Sequence, residues 1–171
     1  MPDSPFQPPS PLAFFADAML GRLARWLRIL GYDTAYEKVI TDEELIDRVL
    51  RENRWLLTRD GHLARRKVLR ARHTVIASDD LEGQLRQLHR DLIIELEVNH
   101  QRGYRCADCN AVLTSISHDE VIPLVPPFVA QQYREFLQCP RCHRVFWPGT
   151  HWQDLLGRLA AAREEDAAGP R

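Results

Sequence analysis

Two pairs of cysteines carry the clearest chemical signal in this sequence. The 171-residue chain has four cysteines, and they lie in the motifs Cys106-Ala-Asp-Cys109 and Cys139-Pro-Arg-Cys142. Both sulfurs of a C-x-x-C turn point to one side, so each turn supplies two ligands to the same ion. Four thiolates around one ion form the closed tetrahedral shell of a structural zinc site. The spacing therefore predicts one structural Zn²⁺ bound by all four cysteines.

A redox-active dithiol is the alternative interpretation of either pair. Such a motif normally lies where a strand runs into a helix, and neither pair has that sequence context. Three histidines could substitute as zinc ligands, but we expect them to be ordinary surface or rim residues: His118, His143 and His151. We expect Trp147 and Trp152 to form part of the small core of a zinc ribbon.

Aspartates at the ends of predicted strands form the second chemical signal. Asp17 and Asp60 each end an apolar run, Asp42 opens the helix after a weaker run, and Asp79 with Asp80 ends the last run. Carboxylates gathered at one sheet edge repel one another unless divalent cations neutralise them, and hard oxygen ligands select Mg²⁺ or Mn²⁺. Two such ions can activate water for attack on a phosphodiester. Helix capping is the alternative role, because Asp is a favoured N-cap.

The elements that must position these aspartates alternate between strands and helices. Short apolar runs predict strands at 12–17, 33–37, 55–60 and 73–79. Helical periodicity predicts helices at 19–31, 41–53, 62–71 and 80–97. Thr41-x-x-Glu44 predicts a capping box at the start of the second helix. This alternation predicts an α/β fold with a parallel sheet flanked by helices, in which the working residues lie beyond the carboxyl ends of the strands.

The composition changes near residues 98–104, where cysteines, prolines and short apolar runs replace the helical pattern. We therefore expect a proline-rich disordered leader at 1–11 and an α/β domain at 12–100. A zinc ribbon with a C-terminal helix is expected at 101–160, and a flexible tail at 161–171.

Charge and hydropathy set limits on location and partners. The formal net charge is -1, which gives no global signature of nucleic-acid binding. The N-terminal residues lack a signal-peptide pattern, and no apolar stretch is long enough to span a membrane. We therefore expect a cytoplasmic protein, in which cysteine pairs more often bind metal than form disulfides.

Local basic groups could still contact phosphates. The first predicted helix carries Arg22, Arg25 and Arg28 on a face away from its leucines. Arg65, Arg66 and Lys67 follow Asp60 closely in the sequence. Guanidinium and ammonium groups near a metal site can hold phosphates, and such contacts position a substrate without reading its sequence. A solvated helix face is the alternative. Trp26 could stack on a base, although we expect it to pack against the sheet.

Three stretches resemble the Mut-seven C-terminal RNase family, a branch of the PIN-like nucleases with an appended zinc ribbon. The first runs from Phe15-x-Asp17-x-Met19-Leu20-Gly21 to Leu23-Ala24-Arg25-Trp26-Leu27-Arg28. The second is Leu56-Leu57-Thr58-Arg59-Asp60, and the third joins the two cysteine pairs to Trp147-x-Gly149-Thr150-His151. The resemblance covers roughly residues 12–156.

The resemblance implies a PIN-like fold and metal-dependent cleavage of RNA by carboxylates at Asp17, Asp42 and Asp60, with Asp79 as a fourth. Many PIN nucleases place a glutamate on a helix at the second position, so Glu43 or Glu44 could replace Asp42. We expect a ribonuclease whose ribbon extends the RNA surface or binds a protein partner. The alternatives are a non-catalytic RNA-binding module and a protein-interaction module.

Overall fold

The computed structural model describes residues 12–98, 103–149, 154 and 157–160. Within these ranges the strands are β1 (Phe14–Ala16), β2 (Thr34–Tyr36), β3 (Trp55–Thr58), β4 (His73–Val75), β5 (Thr114–Ile116), β6 (Phe136–Gln138) and β7 (Val145–Phe146). The helices are α1 (Gly21–Ile29), α2 (Asp42–Arg51), α3 (Gly61–Ala64), α4 (Leu81–Leu92), α5 (His118–Val121) and α6 (Pro127–Gln132). The predicted leader at 1–11 and tail at 161–171 lie outside the described residues.

The first sheet is parallel, with strand order β2-β1-β3-β4. Ala16 at the end of β1 pairs with Tyr36 of β2 and with Leu57 of β3. Thr58 at the end of β3 pairs with Val75 of β4. This register carries the carboxyl ends of all four strands to one edge, as the alternating sequence pattern predicted.

Helices cover both faces of this sheet because alternate residues of each strand point to opposite sides. On one face Phe14, Ala16 and Leu57 are buried in the same core cluster as the leucines of α1 and α4. On the other face Phe15 and Leu56 form a second cluster with apolar residues of α2 and α3. The architecture is the predicted α/β fold with helices flanking a parallel sheet.

Local capping explains where the helices begin and end. The predicted capping box is present: Thr41 accepts a hydrogen bond from the backbone of Glu44, and the Glu44 side chain accepts one from the backbone of Thr41. α4 ends at Leu92, shorter than the predicted 80–97, because Ile93 adopts a left-handed conformation with φ of 54°.

The helix predicted at 62–71 was wrong in its second half. The α-helix is confined to Gly61–Ala64, and a 3-10 turn follows at Lys67–Leu69. Arg66 between them is extended, with φ of -61° and ψ of 122°. This break places Leu69 in the second core beside Leu63. Tertiary burial thus overrides the helical propensity of the segment.

The second sheet is antiparallel, with order β5-β6-β7, and it lies in the cysteine-containing part of the chain. A third apolar cluster packs under it and includes Val121, Val129 and Phe136. Trp147 packs against this cluster and lies with its ring centroid 6.5 Å from that of Phe136. The excursion between the two cysteine pairs therefore supplies the ribbon with its own small core.

Arg28, which the sequence places on a basic face of α1 with Arg22 and Arg25, is instead buried. It joins the first sheet to the first cysteine turn through hydrogen bonds to backbone oxygens. Its side chain is 5% exposed, and Nε donates to the Thr34 carbonyl of the edge strand β2 at 2.9 Å. Nη1 donates to the carbonyls of Ala107 and Asp108, each at 2.9 Å. Asn110 completes the junction, because its Oδ1 accepts a hydrogen bond from the Thr34 amide at 3.0 Å. The first cysteine turn thus covers the free edge of β2, which would otherwise expose unpaired backbone groups.

No helix in the described part of the chain is long and apolar enough to cross a membrane.

We predict that Arg28→Met lowers the free energy of unfolding by roughly 3 kcal/mol, because three backbone oxygens lose a charged donor in a buried site. Chemical denaturation followed by circular dichroism measures this change. Arg51→Met is the matched control, since the Arg51 side chain is 65% exposed and pairs only with Asp47 on the same helix. A stability of Arg28→Met equal to that of the control would contradict the structural role of Arg28.

Candidate active site and metal centre

The two cysteine turns have nearly the same geometry. In the first, the Cys109 amide donates to Cys106 Sγ at 3.5 Å, and the Asn110 amide donates to the Cys106 carbonyl at 2.9 Å. The second repeats this pattern: the Cys142 amide donates to Cys139 Sγ at 3.4 Å, and residue 143 donates to the carbonyl of residue 139 at 2.9 Å. The residue after each pair is left-handed, with φ of 65° at 110 and 60° at 143.

The four sulfur atoms lie within 4.8 Å of one another, and Cys106 Sγ is 3.7 Å from Cys142 Sγ. In the described residues this is the single group of three or more His, Cys, Asp or Glu side chains placed to share one metal ion. The cluster could bind a structural zinc ion, because four thiolates in two turns match the closed tetrahedral shell that zinc prefers. The predicted convergence of the cysteines is confirmed.

The pKa values of the Cys109 and Cys139 thiols are shifted in opposite directions. A hydrogen bond to Cys142, together with burial, raises the pKa of Cys109 to about 12. Burial alone would raise the pKa of Cys139, but backbone amide donors from Cys142 and Arg141 lower it to about 7. Metal binding must therefore displace protons, which makes zinc affinity pH-dependent.

The histidines do not enter this cluster where the structure describes them. His118 Nε2 lies 2.7 Å from the Ala130 carbonyl oxygen, and His143 is exposed. His151 and Trp152 lie outside the described residues. Trp147 belongs to the core of the ribbon, in line with the sequence-based expectation.

Asp17 lies at the end of β1 and is only 6% exposed. Its Oδ1 accepts a hydrogen bond from the Met19 amide at 2.9 Å, which caps the 3-10 turn Ala18–Leu20. Its Oδ2 accepts from the Thr58 hydroxyl at 2.5 Å and from the Arg59 amide at 2.9 Å. The carboxylate therefore links the carboxyl ends of β1 and β3.

Thr58 connects Asp17 to Asp60. The Thr58 hydroxyl donates to Asp17 and accepts a hydrogen bond from the Asp60 amide at 2.9 Å. Asp60 is exposed, and its Oδ1 caps α3 by accepting from the amides of His62 and Leu63 at 2.7 and 3.4 Å. The hydroxyl group of one threonine thus connects, by hydrogen bonds, the two aspartates that end the predicted strands.

This position is a topological switch point of the sheet. From β1 the chain moves to β2 on one side, and then crosses to β3 on the other side of β1. The helices that follow β1 and β3 therefore diverge and leave a crevice at the carboxyl ends of these two strands, where ligands bind in open α/β sheets. Asp17, Thr58 and Asp60 lie at these strand ends.

The other candidate carboxylates take no part in the hydrogen bonds that join Asp17, Thr58 and Asp60 in the described structure. Asp79 is 88% exposed and pairs with Arg59, whose backbone amide donates to Asp17. Asp42 is exposed in the first turn of α2. Of its alternatives, Glu43 pairs with Arg66 at 3.0 Å and Glu44 belongs to the capping box. In the described chain these carboxylates form no group of three ligands within reach of one ion.

The basic candidates divide into paired and unpaired residues. Arg22 and Lys67 are exposed and have no acidic partner within the described ranges. Arg65 is exposed and donates from Nε to the carbonyl of Gly61 in its own helix. Arg66 pairs with Glu43, and Arg25 pairs with Asp108 in the first cysteine turn. Trp26 is half-buried against the first core, as expected.

A shallow depression lies between α2 and the chain that follows α3. Its lining residues are Glu43, Ile46, Asp47, Arg66, Lys67 and Val68. This depression is not lined by Asp17 or Asp60. The crevice at the strand ends is therefore the better candidate for chemistry, because it combines a switch point with a buried carboxylate.

Asp33 is a polar anchor that the sequence patterns did not reveal. It precedes β2, and its Oδ1 accepts from Arg54 Nη1 and Asn110 Nδ2, each at 2.7 Å. Burial alone would raise the pKa of Asp33, but these hydrogen bonds and the nearby guanidiniums lower it below its usual value. No periodicity or motif signals such a residue, because its partners lie far away in the sequence.

We predict that Asp33→Asn destabilises the protein at about pH 7 and that this loss shrinks as the pH falls below about 3.9, the unfolded-state pKa of an aspartate. A carboxyl group whose pKa is lowered on folding stabilises the fold above its unfolded-state pKa of about 3.9, and this contribution vanishes as the pH falls through its folded-state pKa. Melting temperatures of both proteins across the acid range measure the effect. Asp47→Asn, at an exposed pair on α2, is the control. A pH-independent difference would refute the linkage.

For the cysteine cluster, we predict about one zinc ion per chain after purification without added zinc. Elemental analysis gives the stoichiometry. Cys139→Ser should lose the metal and shift the fluorescence of Trp147, because the ribbon core packs against the β-strand that leads into this turn. A zinc-free protein that retains the folded ribbon would exclude a structural zinc site.

Comparison with known proteins gives one result. The Mut7-C RNAse domain family matches residues 12–159, a range that includes the crevice aspartates and all four cysteines. No curated protein and no solved structure matches the chain. The family description suggests a ribonuclease-type function. Because the match covers most of the 171 residues, the chain belongs to the Mut7-C RNAse domain family.

Proposed function

We propose that this protein is a ribonuclease that hydrolyses RNA phosphodiester bonds in the crevice between β1 and β3. The observation that carries the proposal is the buried Asp17 carboxylate at the switch point, linked through Thr58 to Asp60. Family membership supports the reaction class. RNA is the proposed substrate.

The donor set of the crevice fits a hard divalent cation such as Mg²⁺ or Mn²⁺. A carboxylate oxygen has two lone pairs. Asp17 Oδ1 accepts a single hydrogen bond, and the hydrogen bonds that Asp60 accepts in the described structure all fall on Oδ1. Asp17 Oδ1 and Asp60 Oδ2 therefore retain lone pairs that would hold the cation. When bound, such a cation supplies charge neutralisation and an acidified water molecule.

The second acidic position is assigned to Asp42 in this proposal. Glu43 must leave its ion pair with Arg66 to bind a cation, and the capping box occupies one carboxylate oxygen of Glu44. Asp42 is the remaining acidic residue in the first turn of α2, and it is exposed without a partner among the described residues. Asp79, at the end of the segment after β4, would be a fourth carboxylate at the rim.

The chain's own residues would bind RNA through its phosphates. Arg22 is five residues beyond Asp17, and Arg65 and Lys67 are within seven residues of Asp60. Their positive charges can orient the backbone over the crevice without reading sequence. Arg25 and Arg66 have acidic partners, so a phosphate must compete with Asp108 and Glu43 for them.

A non-catalytic RNA-binding module is the second candidate function. It is favoured by the capping roles of Asp17 and Asp60, which give both carboxylates a structural purpose. In this case the same basic residues would bind RNA, and the crevice would not cleave it.

The proposed organisation assigns the nuclease to residues 12–100 and the ribbon with a C-terminal helix to 101–160. The ribbon offers a surface for more RNA or for a protein partner. Because the chemistry requires RNA, we propose a cytoplasmic location.

We predict that Asp60→Asn reduces metal-dependent RNA cleavage at least about 100-fold, because an amide is a much poorer ligand for a hard cation than a carboxylate. Its Oδ1 can still cap α3, so stability should change little. Cleavage of cellular RNA with Mn²⁺ measures activity. Asp80→Asn is the matched control, since Asp80 caps α4 in the same way but forms no hydrogen bond to Asp17 or Thr58 in the described structure.

Asp17→Asn should also abolish cleavage, but at a cost in stability. Three donors surround the Asp17 carboxylate, so the NH₂ group of the asparagine in the variant would face another hydrogen-bond donor. Circular dichroism must therefore accompany the assay for this variant. RNA binding without any cleavage by the wild-type protein would support the non-catalytic candidate instead. Cleavage by Asp60→Asn at the wild-type rate would refute the role assigned to Asp60.

A further inference from the structure

Two arginines from different parts of the chain share one carboxylate at the junction between α1 and the ribbon. Arg25 of α1 donates from Nη1 to Asp108 Oδ1. Arg144, two residues beyond the second cysteine pair, donates from Nη1 to Asp108 Oδ2. Asp108 lies inside the first C-x-x-C motif, so this triad bridges the two cysteine turns and the helix that starts beside Asp17.

The position of this triad is fixed by buried contacts rather than by its own ion pairs. Arg28, 5% exposed, holds the backbone carbonyls of Ala107 and Asp108. Asn110 is held in turn by the Thr34 amide and by Asp33. Asp108 therefore stays against α1 whether or not its side chain is paired.

The two guanidiniums keep unused donors that face solvent. Each has five N–H groups, and in each the acidic contact involves Nη1 alone. The side chains of Arg25 and Arg144 are 55% and 61% exposed, whereas that of Asp108 is 27% exposed. A tetrahedral oxyanion could approach both arginines from outside and match their planar donors, as phosphates do with paired arginines.

The triad also lies on a path to the crevice. Arg22 and Arg25 are three residues apart and therefore occupy neighbouring positions on one face of α1. Arg25 lies four residues beyond Gly21, the first residue of α1, or about 6 Å along the helix axis, and Asp17 caps the 3-10 turn that precedes α1. A single strand bound in the crevice would need to extend only a few nucleotides to reach the triad.

We propose that Arg25 and Arg144 form a two-arginine clamp for a backbone phosphate of single-stranded RNA, with Asp108 as the internal anion that competes for it. The clamp makes the ribbon part of the substrate-binding surface and orients the strand toward Asp17. This inference rests on RNA being the substrate, as proposed above, but not on cleavage.

A structural role for the same arginines is the competing explanation. Four thiolates with one zinc ion carry a net charge of about -2, and nearby guanidiniums would stabilise that charge. The two roles differ in the effect of removing Asp108. Loss of this carboxylate leaves the arginines near the metal site but removes a competitor for phosphate.

Fluorescence anisotropy of a labelled single-stranded RNA, without added Mg²⁺ or Mn²⁺, tests the clamp in the full chain. We expect Arg25→Ala and Arg144→Ala each to weaken binding roughly five- to tenfold and to lower the log–log salt slope by about 0.7. Asp108→Asn should strengthen binding several-fold. Arg51→Ala, which removes an exposed, ion-paired arginine on α2, should leave both quantities unchanged.

Zinc content and an Arg144→Lys variant separate the outcomes. The clamp predicts that Arg144→Lys keeps its zinc and still binds more weakly than wild type, because an ammonium lacks the planar fork. The proposal is overturned if Asp108→Asn fails to tighten binding, if the arginine variants match Arg51→Ala, or if weaker binding occurs only with loss of zinc. Weaker binding by the arginine variants and tighter binding by Asp108→Asn, in a protein that cleaves no RNA, would uphold the clamp and refute the nuclease. RNA cleavage by a protein whose RNA binding is unchanged in the Arg25, Arg144 and Asp108 variants would support the nuclease and refute the clamp.

Discussion

The buried guanidinium of Arg28 is the interaction on which the arrangement of the two halves depends. It donates to three backbone oxygens at once, one on the edge strand β2 and two in the first cysteine turn. A buried charge is tolerated only when it is extensively hydrogen-bonded, and here the backbone supplies that compensation. The first cysteine turn is therefore held against α1 and β2. The same contact closes a sheet edge that could otherwise pair with another chain.

Asp17 plays a comparable part at the opposite end of α1. Its three hydrogen bonds tie the 3-10 turn before α1 to the end of β3, so the helix has a fixed start beside the crevice and a fixed contact with the ribbon near its end. A rigid helix between the two sites holds the crevice and the cysteine turns in one geometry. Pre-organisation of this kind is what a nuclease requires, because positioning and charge stabilisation supply most of the rate enhancement in phosphoryl transfer.

Capping and catalysis are compatible roles for the crevice aspartates. A carboxylate that accepts amide donors through one oxygen is held in a fixed orientation, while its other lone pairs stay available. Asp60 shows this division most clearly, since Oδ1 accepts the hydrogen bonds from the amides of His62 and Leu63. N-capping by the strand-end aspartates thus explains how the proposed metal ligands would be oriented. It also explains why residue types alone could not distinguish a capping role from a metal-binding role.

The sequence by itself determined the features that depend on short-range patterns. Apolar periodicity predicted the α/β alternation, the Thr41–Glu44 pair predicted a capping box, and the C-x-x-C spacing predicted the cysteine cluster. Tertiary structure alone decided the strand order, the burial of Arg28, the Thr58 link between Asp17 and Asp60, and the early end of α3. These features depend on partners tens of residues apart, such as Arg28 with Ala107. A local window records which conformation a segment favours, but not which distant groups will satisfy its polar atoms.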